Sequence, residues 1–243
     1  MFEQKNRWLF LFALDALLNL LGEIIQHIPL IYVTKPLLMV FLSIHFYQNR
    51  SGKSKWSRYI LWALLFSFLG DTFLMIRITG TVSQQLFLLG LGSFLITQLL
   101  YFLAFRQYAS KQGFIRKQPL VALIFLAILI GNSFFLLPNL PNTLKFPVLL
   151  YSTIITLMVV SCVNLYGLLP STIFKVLLTG VLLFMLSDSL IGLNQFKKET
   201  IQIPFPRLAI MGTYIVAQYL IVKGSIYLSK NPRKGSEAFI TGD

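Results

Sequence analysis

One cysteine and two histidines are all the thiol and imidazole metal ligands in this 243-residue chain. Cys162 lies inside an apolar run without a second thiol, which excludes disulfides and cysteine-based metal centres. His27 and His45 fall near opposite ends of their apolar segments, so a three-histidine zinc site of the kind membrane hydrolases use cannot be assembled. Also missing are a G-x-S-x-G elbow, an H-E-x-x-H helix, a phosphate-binding loop and a dinucleotide fingerprint. Ser187 stands beside Asp188, but adjacent helix positions point about 100° apart and no base is evident. It reads as a helix-packing or back-bonding serine. Acidic residues are scarce too, eight against 21 Lys and Arg.

What is abundant is apolar. Hydrophobic residues make up 56% of the chain and aromatic ones 14%, in runs long enough to cross a bilayer with almost no charge. This is the composition of an all-α, polytopic membrane bundle. Eight spans are expected: Trp8 to Gly22, Ile31 to Tyr47, Trp56 to Ile76, Gln84 to Phe105, Pro119 to Leu137, Phe146 to Leu169, Ile173 to Leu193 and Phe205 to Val222. Breakers separate them at Ser51-Gly52, Gly113, Pro138 with Pro141, Pro170, and Pro204 with Pro206. Asp15 and Asn19 interrupt the first run and no small-residue cleavage site follows, so it reads as a retained helix, not a signal peptide. Residues 1–229 form the expected transmembrane domain, and the polar tail 230–243 is expected to be disordered.

A formal net charge of +13 would point to nucleic acid in a soluble protein. Here the bases cluster in short connections, which makes the charge a topology signal with the lipid bilayer as partner and no nucleic acid. Lys35, Arg77, Lys145, Lys197, Lys198 and Arg207 fall on one side and the rest of the 21 on the other. The positive-inside rule then puts both termini in the cytoplasm. An internal echo accompanies this layout: Gly92 with Gln98 matches Gly212 with Gln218, and Pro36 matches Pro147. It suggests two four-helix halves in parallel orientation, the alternative being chance matching among leucine-rich segments. The conspicuous Gly and Ser positions are accounted for by packing within one bundle, and no oligomer interface is legible.

Two aspartates, Asp71 in LLFSFLGDTFLM and Asp188 in GVLLFMLSDSLIGL, sit deep inside apolar runs. An acidic side chain in a spanning helix costs roughly 2.5 to 3.5 kcal/mol on insertion scales, so partners or a wet cavity are needed. Both lie about 22 Å past the inner end of their spans, and Lys35 about 6 Å below the outer face, so the three are expected in one layer. Ser67 precedes Asp71 by four positions, Tyr214 precedes Gln218 by four, and Asp15, Asn19 and Glu23 form an i, i+4, i+8 stripe. The plain alternative is that these groups only lock the packing. Two acids beside one base cannot all be neutralised pairwise, which leaves one carboxyl able to keep a proton.

The segments TKPLL (34–38), LLFSFLGDTFLM (64–75), LLGLGSFLITQLLYFLAF (88–105), LLFMLSDSLIGLNQF (182–196) and MGTYIVAQYLI (211–221) resemble the successive motifs of the YhhN-like integral membrane proteins, whose characterised members are lysoplasmalogenases. The resemblance covers most of the chain, with one departure: Gln98 stands where relatives commonly carry histidine. It implies hydrolysis of the vinyl ether bond of a lysophospholipid substrate, a 1-alkenyl glycerophosphoethanolamine or -choline, in the inner membrane if the source is bacterial. Asp71 and Asp188 would then share the acid and base roles, Lys35 would hold the phosphate, and Tyr214, Gln218, Gln98, Asn194, Asn19 and Glu23 would orient substrate or water. No metal or organic cofactor is called for. The competing expectation is a proton-coupled transporter or lipid-translocating protein using the same aspartates.

Overall fold

The computed structural model describes residues 6–52, 54–76, 81–109, 113–118, 140–196 and 203–231, with scattered positions between 120 and 138. Among them the chain is all helical. The elements are α1 (Arg7–Ile25), α2 (Ile28–Asn49), α3 (Lys55–Met75), α4 (Thr81–Ala109), the short α5 (Phe114–Lys117), α6 (Asn142–Val163), α7 (Ser171–Phe196) and α8 (Pro206–Lys230). Seven of these are long and apolar enough to cross a membrane, so this is an integral multi-pass membrane protein. The expected fifth span, 119–137, lies largely outside the described residues, and the described positions 120, 123–125, 127, 130 and 131 within it are helical. The tail from 232 onwards lies outside them as well.

Local chemistry sets the ends. Gln26 takes a left-handed φ of 55° and closes α1, with the His27 amide donating to the Gly22 carbonyl at 3.0 Å. His27 then caps α2 by accepting from the Leu30 amide at 3.2 Å, and Ser54 caps α3 through the Ser57 amide. The result is a tight α1–α2 hairpin. A Cβ on Gly22 would come within 3.1 Å of Ile31, so glycine there permits the close approach. One boundary departs from expectation: the sixth span was expected to reach Leu169 but α6 stops at Val163. Asn164 turns the chain instead, accepting from the Phe114 amide on its carbonyl and from the Ile115 amide on its side chain. Hydropathy sees an apolar run there and not the polar cap within it.

The helices fall into two compact units, Met1–Tyr101 with Val222–Asp243, and Phe102–Ile221. In the first, α2 packs on both α1 and α3. There the Ser51 amide donates to Ser229 Oγ at 3.0 Å, tying the α2–α3 turn to the end of α8. In the second, α6 packs on α7, and Gly180 of α7 lets Ile221 approach so closely that a Cβ would lie 3.0 Å from its backbone nitrogen.

Candidate functional site

In the first unit, α3 carries Asp71 into the interior, where it is 2% exposed. The helix comes near α4 because Gly70 presents no side chain to the Phe94 ring; a Cβ would lie 2.8 Å from it. Lys35 of α2 places its Nζ 3.8 Å from Asp71 Oδ1. At an effective dielectric near 20 such a pair gains on the order of 4 kcal/mol, against a desolvation penalty of several kcal/mol for each ion. The pair is therefore close to break-even as a source of stability, while loss of either partner alone is expensive. One turn below, Ser67 Oγ donates to Thr97 Oγ1 at 3.3 Å, and that hydroxyl lies 3.2 Å from the carbonyls of Ala63 and Ser93. Gln98, next to Thr97, is fully buried.

The α1 stripe belongs to the same unit. Asp15 is 6% exposed, Asn19 is 0% exposed, and Glu23 is half-buried near the helix end. Thr34 Oγ1 donates to the Leu30 carbonyl at 2.8 Å, which uses its only proton, and it accepts from Asn19 Nδ2 at 2.9 Å. Among the described residues Asp15 Oδ2, Asn19 Oδ1 and Glu23 Oε2 are buried without a hydrogen-bond partner. Each such orphan costs about 1–3 kcal/mol, more when charged.

In the second unit, Asp188 of α7 accepts a 2.6 Å hydrogen bond on Oδ2 from the phenol of Tyr151 of α6. Ser187 Oγ donates to the Ile210 carbonyl at 3.1 Å, so it acts as the packing serine expected of it. Tyr214 is buried and meets Phe184 edge-on, with ring centroids 5.9 Å apart. Gln218 is fully buried one turn further along α8. Asn194 is half-buried near the end of α7, with no hydrogen bond among the described residues. No group of three or more His, Cys, Asp and Glu among the described residues is placed to hold a metal ion.

The expected site residues thus divide by unit. Lys35, Asp71, Gln98, Asn19 and Glu23 lie in the first, where Lys35 and Asp71 meet; Asp188, Asn194, Tyr214 and Gln218 lie in the second. Sequence reasoning missed Tyr151 and Thr34. The signal for Tyr151 was present: counted from Phe146, it lies about 8 Å in from the start of its expected span, the arithmetic that singled out Lys35. Thr34 stands next to Lys35, but nothing in one-dimensional spacing marks it as the partner of Asn19.

A multi-pass helical membrane protein that carries carboxyls inside its spans and gives Asp71 and Asp188 each a polar partner from the preceding helix is the class defined so far. Residues 30–225 match the YhhN family, and the chain belongs to it. It is similar to the lysoplasmalogenase TMEM86A of Bos taurus, with 32% identity over 169 residues, covering 67% of this chain. The chain spans 63% of the length of that relative. No solved structure matches it significantly. The family match takes in Lys35, Asp71, Gln98, Asp188, Asn194, Tyr214 and Gln218, whereas Asp15, Asn19 and Glu23 lie upstream of it.

Proposed function

We propose that this protein hydrolyses the vinyl ether bond of lysoplasmalogens, releasing a fatty aldehyde and a glycerophospho-alcohol. The observation that carries the reading is the unlike support of two carboxyls within spanning helices: Asp71, buried beside the Lys35 ammonium, and Asp188, half-buried and accepting from the neutral phenol of Tyr151. Vinyl ether hydrolysis needs two such groups. An acid delivers a proton to the carbon β to the ether oxygen, and the C=C electron pair forms the new C–H bond. The oxocarbenium ion left behind is captured by water, which loses a proton to a base. The hemiacetal then collapses to aldehyde and alcohol.

Asp188 suits the acid role, because a carboxylic acid can accept a hydrogen bond on one oxygen while donating from the other. Asp71, facing a cation, suits the carboxylate that stabilises the oxocarbenium ion or takes the proton from water. The three N–H donors of Lys35 allow it to hold Asp71 and a phosphate oxygen together. Gln98, Tyr214, Gln218 and Asn194 orient substrate or water. The name of the bovine relative supports this reading over the transport alternative.

The test is the purified full chain, reconstituted and given a 1-alkenyl lysolipid in D2O. Free aldehyde carrying one deuterium at the carbon next to the carbonyl is expected, and Asp71→Asn and Asp188→Asn should each abolish it. Wild-type aldehyde release by both variants rejects the proposal. Lipid or proton flux without any aldehyde would place the protein among transporters.

A further inference from the structure

The three unpartnered oxygens on α1 ask for donors, and the geometry limits which kind. Because Thr34 spends its proton on Leu30, the Asn19 amide must point its nitrogen at Thr34 and its Oδ1 away. That fully buried oxygen has no hydrogen-bond partner among the described residues, and a carboxylate stands one helical turn on either side, Asp15 and Glu23. Neighbouring rungs are about 6 Å apart along the axis. Side chains on a helix lean toward its N-terminus, so the longer Glu23 reaches back toward Asn19 while Asp15 leans away from it.

A hard metal ion would need six or more oxygens converging within about 2.6 Å, which one helical stripe cannot supply. A primary ammonium carries one positive charge and three N–H donors, matching the Asn19 oxygen and the Glu23 carboxylate that reaches back toward it. A trimethylammonium carries the charge but no donor, and would leave Asn19 Oδ1 unsatisfied. Lys35, the group assigned to phosphate, follows Thr34 directly in the chain and lies in the same unit.

We propose that Asn19 and Glu23 form a recognition site for a primary ammonium, and that the ligand is the ethanolamine-type head group of the lysolipid in preference to choline. The identity of the lipid rests on the hydrolase reading. The site itself lies outside the residues that match the family.

Binding is measured on the full chain in nanodiscs with saturated 1-O-alkyl lysolipids, which contain no vinyl ether to cleave. The ethanolamine form should bind about tenfold more tightly than the choline form, the worth of one charge-assisted hydrogen bond. In Asn19→Leu and Glu23→Gln that ratio should fall toward one. Glu23 is half-buried near the helix end, so Glu23→Gln provides the answer even if Asn19→Leu does not fold. Equal affinities in the wild type, or a ratio unchanged in the folded variants, overturns the proposal. Free ethanolamine competing as well as the whole lipid overturns its lipid part, because the amine alone would then be the ligand. A head-group ratio without aldehyde from the vinyl ether substrate removes the hydrolase reading and leaves the ammonium site standing. Aldehyde without a ratio does the reverse.

Discussion

The phenol of Tyr151 donates a 2.6 Å hydrogen bond to the carboxyl of Asp188, between α6 and α7. A contact that short fixes the rotamer of the aspartate, and with it the direction of its other oxygen. Tyr151→Phe keeps the ring and removes the donor, so aldehyde release should fall about ten- to a hundredfold with little change in KM. On an Asp188→Glu background, which keeps a carboxyl, Tyr151→Phe should cost less than it does alone, because the phenol acts through that carboxyl. Fully additive losses would show an independent role for the tyrosine.

Lys35 and Asp71 yield a prediction that separates stability from chemistry. Lys35→Met leaves a 2% exposed carboxyl without its ammonium. Lys35 itself is 14% exposed, so the loss should fall between the surface and buried limits, about 2 kcal/mol. The double variant Lys35→Met, Asp71→Asn should recover much of that stability and none of the activity. Thermal unfolding in detergent, run beside the aldehyde assay, checks both parts.

Thr34→Val removes the acceptor for Asn19 while keeping the shape of the side chain. Inter-helical hydrogen bonds within membranes average about 0.6 kcal/mol, so the α1–α2 hairpin should lose about that much. It should also free the Asn19 amide to turn over, which would weaken discrimination between ethanolamine and choline lysolipids. Steric-trap or thermal measurements follow the first effect, and lipid binding follows the second.

The glycines divide by sign. A Cβ on Gly70 would sit 2.8 Å from the buried Phe94 ring, so Gly70→Ala should destabilise by about 1–3 kcal/mol through overpacking and displace the neighbouring Asp71. A Cβ on Gly92 meets nothing within 4 Å, so Gly92→Ala should stabilise α4 by about 0.5–1 kcal/mol. Equal melting temperatures for the two variants would contradict the packing described for α3 on α4.

The glycine contrast also shows where one-dimensional reading stops. Gly92 and Gly212 stood out because they recur at one distance from Gln98 and Gln218, yet neither is a close-packing position. Gly70 and Gly180, which are, drew no notice, because contact depends on the neighbouring helix and not on the run that contains the glycine. Asn164 ended α6 early for a similar reason: its partners, the amides of Phe114 and Ile115, lie about fifty positions back, beyond any local window.

By itself the sequence determined the class, the seven described spans and the residues whose presence in lipid demands an explanation, since length and the cost of a buried charge are properties of each segment alone. The tertiary structure decided the partners: Lys35 for Asp71, Tyr151 for Asp188 and Thr34 for Asn19. It also decided which oxygens on α1 are left wanting a donor. A hydrogen bond or ion pair is settled within a few ångströms, whereas helical spacing fixes only height and face, so the choice among many polar groups at one height is made by packing.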